Sequence, residues 1–169
     1  VDSASISKNI EVDIPIVADA KLAIEKLLEY ITPLKVEKWT THVQEWKQEY
    51  PINMDKYPGV TPEKVIRYIN EHYDRPIVAT DVGQNQLWTT QFLDLKGNRQ
   101  LLTSGGLGTM GYGFPAAVGA QIGNPEADVF AISGDGGVQM NIQEFATAVA
   151  LELPLTLIVF NNGYLGNVR

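Results

Sequence analysis

The sequence predicts an α/β protein: a three-layer α/β/α domain around a mainly parallel sheet, preceded by a short helical segment. Three observations predict it. Apolar runs of strand length lie at 76–80, 100–103, 128–133 and 155–160, bounded by polar or glycine-containing turns. Stretches with helical spacing separate them, so the connections read as crossovers and the sheet as parallel, covered on both faces. Polar and glycine-rich motifs fall where the apolar runs end, and an open parallel sheet binds its ligands at the carboxyl ends of its strands.

Taken in order, residues 1–12 are mostly polar and irregular, and Ile14-Pro15-Ile16-Val17 reads as a short edge strand, where proline is tolerated. Residues 18–30 carry Leu22, Ile24, Leu27 and Leu28 at helical spacing, ended by Ile31-Thr32-Pro33. Residues 37–50 place Trp39, Val43 and Trp46 on one helix face, with a charged face opposite. A turn-rich loop at 51–59 marks the expected boundary between a segment 1–55 and a domain 56–169. That domain opens on a helix with Thr61 as N-cap, Pro62 at the first helical position and Lys64 where a capping-box acid would stand. The strand at 76–80 follows, then a polar turn at 81–86, a helix from Leu87 to Phe92 and the strand at 100–103. Glycines crowd 104–113; a small-residue helix at 116–122 can lie close to the sheet, and a helix at 142–151 separates the last two strands.

Hydrophobic content of 44% and charged content of 20% are ordinary for a globular protein. A net charge of −7 argues against nucleic acid or an anionic membrane as the main partner. The chain has no cysteine, which excludes disulfides, zinc-thiolate sites and thiol nucleophiles. It shows neither a membrane-length apolar run nor a signal peptide. The start at Val1 and the stop after Val168-Arg169 predict a piece of a longer protein.

The motifs that carry chemistry sit at the strand ends. Gly134-Asp135-Gly136 ends one strand and Asn161-Asn162 ends the next, so the two meet in space. Alone, Gly-Asp-Gly reads as a plain turn with Asp135 capping a helix. With Asn-Asn beside it, the pair reads as a site for a hard cation: a carboxylate from Asp135, an amide oxygen from Asn162 and a carbonyl from Tyr164, a set that favours Mg²⁺ completed by phosphate oxygens and water. Gly136-Gly137 open a helix whose unpaired N–H groups attract a phosphate. Val82-Gly83-Gln84-Asn85-Gln86 offers neutral amides to a diphosphate, or is a glycine turn with amide caps. The run from Ser104 to Gly111 lacks a P-loop lysine; its backbone suits a heteroaromatic ring with Met110 as apolar support, or it is a tight loop with Met110 in the core. His42 and His72 lie on helical stretches and read as surface residues, and Glu144 reads as a solvated or packing residue.

The run from Gly134-Asp135-Gly136 to Asn161-Asn162 resembles the signature of thiamine diphosphate-dependent enzymes. The segments 104–117, 139–144 and 161–166 resemble, within them, the catalytic subunits of acetolactate synthases, most densely from about Tyr73 to Arg169; residues 13–30 resemble the tail of that family's middle domain. Pyruvate oxidase, glyoxylate carboligase and the 2-keto acid decarboxylases share much of the framework, and a non-catalytic module retaining the fold is a further alternative. The resemblance implies a diphosphate-side cofactor domain at 56–169, thiamine diphosphate and Mg²⁺ as cofactors, and FAD in the full-length protein. It implies a cytoplasmic transferase of branched-chain amino-acid biosynthesis that decarboxylates pyruvate and condenses the product with a second 2-keto acid. The partners it implies are a second copy of the chain, in a dimer or larger assembly that shares the active site, and a small regulatory subunit.

Residue by residue, the resemblance implies Asp135, Asn162 and the Tyr164 carbonyl as metal ligands. It implies that Gln84, Asn85, Gly136 and Gly137 contact the diphosphate, that the Gly108 carbonyl and Met110 N–H hold the aminopyrimidine, and that the Met110 side chain supports the bent cofactor; Val82, Gly83, Gly134, Tyr164 and Gly166 complete the cofactor site. Two residues depart from the pattern: Asn85 stands where many members have histidine, and Asn167 where methionine is usual, which leaves substrate preference open. The family's activating glutamate belongs to an N-terminal domain, and its flavin site lies mostly in the middle domain. The expectation is therefore a piece that folds, holds no catalytic residue of its own and does not turn over alone.

Overall fold

The computed structural model describes residues 3–168. The chain divides into two compact units, Val1–Ile52 and Asn53–Arg169.

In the first unit, α1 spans Ala20–Leu28 and α2 spans Glu37–Glu49. Asp19 caps α1, its carboxylate accepting from the N–H groups of Lys21 and Leu22. Along α2, Trp39 and Trp46 meet edge to face at 5.6 Å and His42 stacks on Trp46. The strand expected at residues 14–17 does not form. A strand needs a ladder partner, and the described residues of this unit contain no other strand, so Ile14 and Val17 stay exposed.

The second unit begins with α3, Pro62–His72, capped as its sequence predicts by Thr61 Oγ1, which accepts from Lys64 N at 3.3 Å. Its elements then run β1 (Ile77–Thr80), α4 (Gln84–Phe92), β2 (Gln100–Thr103), α5 (Gly113–Gly123), β3 (Val129–Gly134), α6 (Asp135–Met140), α7 (Glu144–Ala150) and β4 (Thr156–Phe160). The four strands pair in the order β2-β1-β3-β4, all parallel, with Thr80 opposite both Thr103 and Ile132 and with Gly134 opposite Phe160. This is the three-layer α/β/α architecture.

Strand residues alternate between two cores, as the pleat requires. Val78, Phe130 and Ile132 pack with Ile66 and Ile69 of α3 and Phe92 of α4. Ile77, Ala79, Val129 and Ala131 pack on the opposite face with Phe114, Ala117 and Val118 of α5 and Ala148 of α7. Arg99, just before β2, ties this frame to the end of α3: its guanidinium donates to the carbonyls of Asn70, Tyr73, Asp74 and Asp94 and to Asn70 Oδ1. Glu63, at 4% exposure, accepts from Arg67 and from the Met54 N–H, fastening the loop before α3.

Two helices start earlier than their apolar spacing suggests. The first turn of α4 is built from Gln84, Asn85 and Gln86, so the expected polar turn at 81–86 ends at Gly83. The first turn of α5 includes Pro115, whose missing N–H would have no acceptor there anyway.

Candidate functional site

From β1 the chain moves outward to β2 and then crosses back to β3 on the other side of β1. The loops after β1 and β3 therefore diverge and leave a crevice at the carboxyl ends of the strands, the place where such sheets bind ligands. A cavity of about 230 Å³ occupies it. Each strand contributes through its following loop: Val82, Gly83, Gln84 and Asn85 after β1, Gly108 and Met110 after β2, Gly134–Gly137 from β3 into α6, and Asn162, Tyr164 and Gly166 after β4. Every residue that sequence reasoning placed at the cofactor or the metal lines this one cavity. Trp88, Phe160, Leu165, Asn167 and Val168 also line it; Trp88 and Phe160 meet edge to face at 5.8 Å and supply an apolar wall.

Asp135 is the first residue of α6, with Gly134 as N-cap and no side-chain cap bond. Among the described residues, no hydrogen bond or ion pair engages its carboxylate, so the plain turn-and-cap reading of Gly-Asp-Gly does not hold. Across the β3–β4 junction, Asn162 Oδ1 accepts from Tyr164 N at 2.9 Å and Asn162 Nδ2 donates to Gln84 Oε1 at 2.7 Å. Asn162 Oδ1 keeps a second lone pair. One free carboxylate, one oriented amide oxygen and a neighbouring backbone carbonyl make an oxygen-only set suited to a hard cation that keeps other positions for phosphate and water.

The Asn85 side chain differs from the expectation of an amide pointed at phosphate. It is buried at 3% exposure, and its Nδ2 donates to Asp81 O at 2.8 Å and to Thr80 Oγ1 and Ile132 O at 3.3 Å. The amide hydrogens close the gap between the ends of β1 and β3. What Asn85 offers an anion is its backbone N–H, in the first turn of α4, where a helix has no internal acceptor.

Asp81 is the site residue that sequence reasoning missed. It is 1% exposed, and its carboxylate accepts from Val82 N at 2.8 Å, Gly111 N at 2.9 Å and Gly113 N at 2.8 Å. These bonds pull the glycine loop after β2 onto the end of β1 and set Gly108 and Met110 at the cavity. Gly111 has φ +86°, a conformation few side chains accept, and its carbonyl accepts from Asn141 Nδ2 at 2.7 Å. A Cβ on Gly137 would lie 2.6 Å from Asp81 Oδ1, so the start of α6 rests on the same carboxylate. The signal in the sequence is a lone carboxylate directly after the buried strand Ile77–Thr80, with a glycine-rich loop further on whose N–H groups need acceptors.

The two histidines lie where expected, exposed on α2 and α3; His42 Nδ1 meets Glu45 and His72 Nδ1 meets the Tyr68 carbonyl. Glu144 is partly buried and accepts from Thr147 Oγ1. No helix among the described residues is long and apolar enough to cross a membrane.

Residues 81–169 match the family model described as thiamine pyrophosphate enzyme, C-terminal TPP binding domain. The chain belongs to the thiamine pyrophosphate enzymes. The matched span begins at Asp81 and contains every residue that lines the cavity. The chain is also 41% identical over 180 residues to the probable acetolactate synthase large subunit of Methanocaldococcus jannaschii, covering 99% of this chain and 30% of that protein. It is 40% identical to the acetolactate synthase large subunit of Corynebacterium glutamicum, covering all of this chain and 28% of that one, and 37% identical to that of Lactococcus lactis, covering 30% of it. This thiamine pyrophosphate enzyme chain thus spans about 30% of the length of the curated relatives it matches.

Proposed function

We propose that the cavity holds thiamine diphosphate through a Mg²⁺ ion, and that the protein containing this chain is the catalytic subunit of an acetolactate synthase. In this reading it decarboxylates pyruvate and condenses the product with a second 2-keto acid, for branched-chain amino-acid synthesis. The observation that carries the proposal is the unpartnered Asp135 carboxylate facing the same cavity as Asn162, each delivered by one of two adjacent parallel strands. The cavity fits the group by its donor chemistry: hard oxygen ligands at one end and first-turn N–H groups of α4 beside them.

Asp135, Asn162 and the Tyr164 carbonyl would hold the metal. The backbone of Gln84, Asn85, Gly136 and Gly137 would hold the diphosphate, and the Gly108 carbonyl and Met110 N–H would hold the aminopyrimidine. When bound, thiamine diphosphate supplies the nucleophilic carbon and the electron sink for 2-keto acid decarboxylation. In this reading the residues of this chain bind and orient it: Asp81 fixes the loop that carries Gly108 and Met110, while Trp88 and Phe160 give the cavity one apolar wall. As the resemblance to acetolactate synthases implies, the acid that activates the ring belongs in this proposal to another domain and reaches the ring from a second copy of the chain. FAD and a regulatory subunit belong to the same proposal for the whole protein.

The test is calorimetric titration of thiamine diphosphate into the full-length protein with and without Mg²⁺. Binding is expected to depend on Mg²⁺ and to lose that dependence in Asp135→Ala. Unchanged Mg²⁺-dependent binding by that variant refutes the assignment.

A further inference from the structure

Gln84 stands between the two halves of the proposed anchor. Its Oε1 accepts from Asn162 Nδ2 at 2.7 Å, and the same Asn162 amide receives the Tyr164 N–H on Oδ1. With its Nδ2 committed to Gln84, the Asn162 amide has its Oδ1 left, with one further lone pair, as the atom it can offer a cation in the cavity that Asp135 also lines. The Gln84 Nε2 has no acceptor among the described residues, and Gln84 lines the cavity at the first position of α4, where the diphosphate is placed. The Gln84 amide is also seated against a bare backbone: a Cβ on Gly166 would lie 2.2 Å from its Cδ, 2.3 Å from its Oε1 and 2.7 Å from its Nε2.

We propose that Gln84 is a positioning residue that couples metal binding to diphosphate binding through two amides in series, and that Gly166 is bare so that the Gln84 amide can lie there. The relay runs from the metal to Asn162 Oδ1, from Asn162 Nδ2–H to Gln84 Oε1, and from Gln84 Nε2–H to a phosphate oxygen. Metal bound to Oδ1 withdraws electron density from that amide and strengthens its N–H as a donor. Gln84, accepting from it, in turn becomes a better donor to the phosphate. A side chain with only an acceptor or only a donor cannot pass this on. The inference rests on the reading of Asp135 and Asn162 as metal ligands, and it adds that the two ligands' affinities are reciprocal through a residue that need not touch the metal.

The experiment measures thiamine diphosphate affinity of the full-length protein at saturating and at trace Mg²⁺. The dissociation constant at trace Mg²⁺ divided by that at saturating Mg²⁺ is the coupling. Gln84→Leu is expected to lower that ratio about tenfold, the scale of losing an outer-shell partner of a metal ligand. Gln84→Glu keeps the acceptor for Asn162 but loses the donor and sets a charge against the phosphate, so it is expected to leave affinity for Mn²⁺ alone within about twofold while weakening thiamine diphosphate about tenfold. Gly166→Ala, at a position without positive φ, is expected to displace the Gln84 amide and reproduce Gln84→Leu. In a Gln84→Ala background, where nothing remains to displace, Gly166→Ala is expected to add less than about twofold. Thermal unfolding without ligand verifies that each variant is folded.

If Asp135→Ala abolishes the Mg²⁺ dependence while Gln84→Leu and Gly166→Ala keep the wild-type ratio, the relay is refuted and the metal assignment stands. If Asp135→Ala leaves binding untouched, both fall.

Discussion

Replacing Asp81 by alanine removes the acceptor of three backbone N–H groups at once. Two of them, on Gly111 and Gly113, are buried with no other acceptor among the described residues. A buried donor left unpaired costs about 1–3 kcal/mol, so the pair costs about 2–6 kcal/mol. Relief of the desolvation of a buried carboxylate returns part of this, leaving a net loss of about 2–4 kcal/mol. Against a stability of about 5–15 kcal/mol this is large without being lethal to folding. Urea denaturation followed by tryptophan fluorescence reads it directly. With a slope of about 1–3 kcal/mol per molar urea, the midpoint is expected to fall by roughly 1–2 M. Asp81→Asn is the control: it retains one acceptor oxygen but turns an NH₂ group against one of the glycine N–H groups, so it is expected to destabilise nearly as much. A midpoint shift below about 0.3 M for Asp81→Ala would mean that the glycine loop finds other acceptors, and would refute the role assigned to this carboxylate.

Three other substitutions test the frame. Gly113→Ala would bring a Cβ within 2.6 Å of the Asp81 backbone nitrogen, a collision with main chain that no rotamer relieves; it is expected to lower soluble yield and to shift the urea midpoint at least as far as Asp81→Ala. Arg99→Lys is expected to recover little of the stability lost in Arg99→Ala, about 1–3 kcal/mol in a urea titration, because one ammonium cannot span carbonyls from Asn70 to Asp94 as a guanidinium does. Burial raises the Glu63 pKa, but hydrogen bonds from Arg67 and the Met54 N–H, with the charges of Arg67 and Lys64, together hold it below its ordinary 4.5. A depressed folded-state pKa gives stability that is present above about pH 4.5 and is lost as pH falls through the folded value. Wild type is therefore expected to lose stability below pH 4.5 more steeply than Glu63→Gln, measured as urea midpoint against pH.

The parts of the fold that could be read from the sequence are those fixed by local pattern together with burial. β1, β2 and β4 lie within their apolar runs and β3 overruns its own by one residue, Gly134; the two central strands, β1 and β3, are buried along nearly their whole length, which an apolar run permits. The start of α4 was hidden because Gln84, Asn85 and Gln86 look like turn residues; they are helical because the Asn85 amide goes inward to strand-end carbonyls, a tertiary contact. The segment 14–17 has the composition of a strand but no partner, and pairing is not a local property. The clustering of Gln84, Gly108, Asp135 and Asn162 was legible because the strand-end rule converts sequence order into position. Asp81 was harder to read, because its strand-end position marks it as a buried carboxylate while its partners lie 30 and 32 residues further on.

Those separations bear on how the cavity comes into being. Its fastenings join residues 30, 32 and 78 positions apart, through Asp81 to Gly111 and Gly113 and through Asn162 to Gln84. Closing such loops is entropically costly and depends on the sheet being assembled first, so the cavity is among the last features to form on folding and among the first to disappear on unfolding. A ligand that fits it binds only the finished fold and raises its stability in proportion to the logarithm of ligand concentration. The midpoint of thermal unfolding, followed against added ligand, therefore reports at once on whether the cavity is occupied and whether the sheet around it is whole.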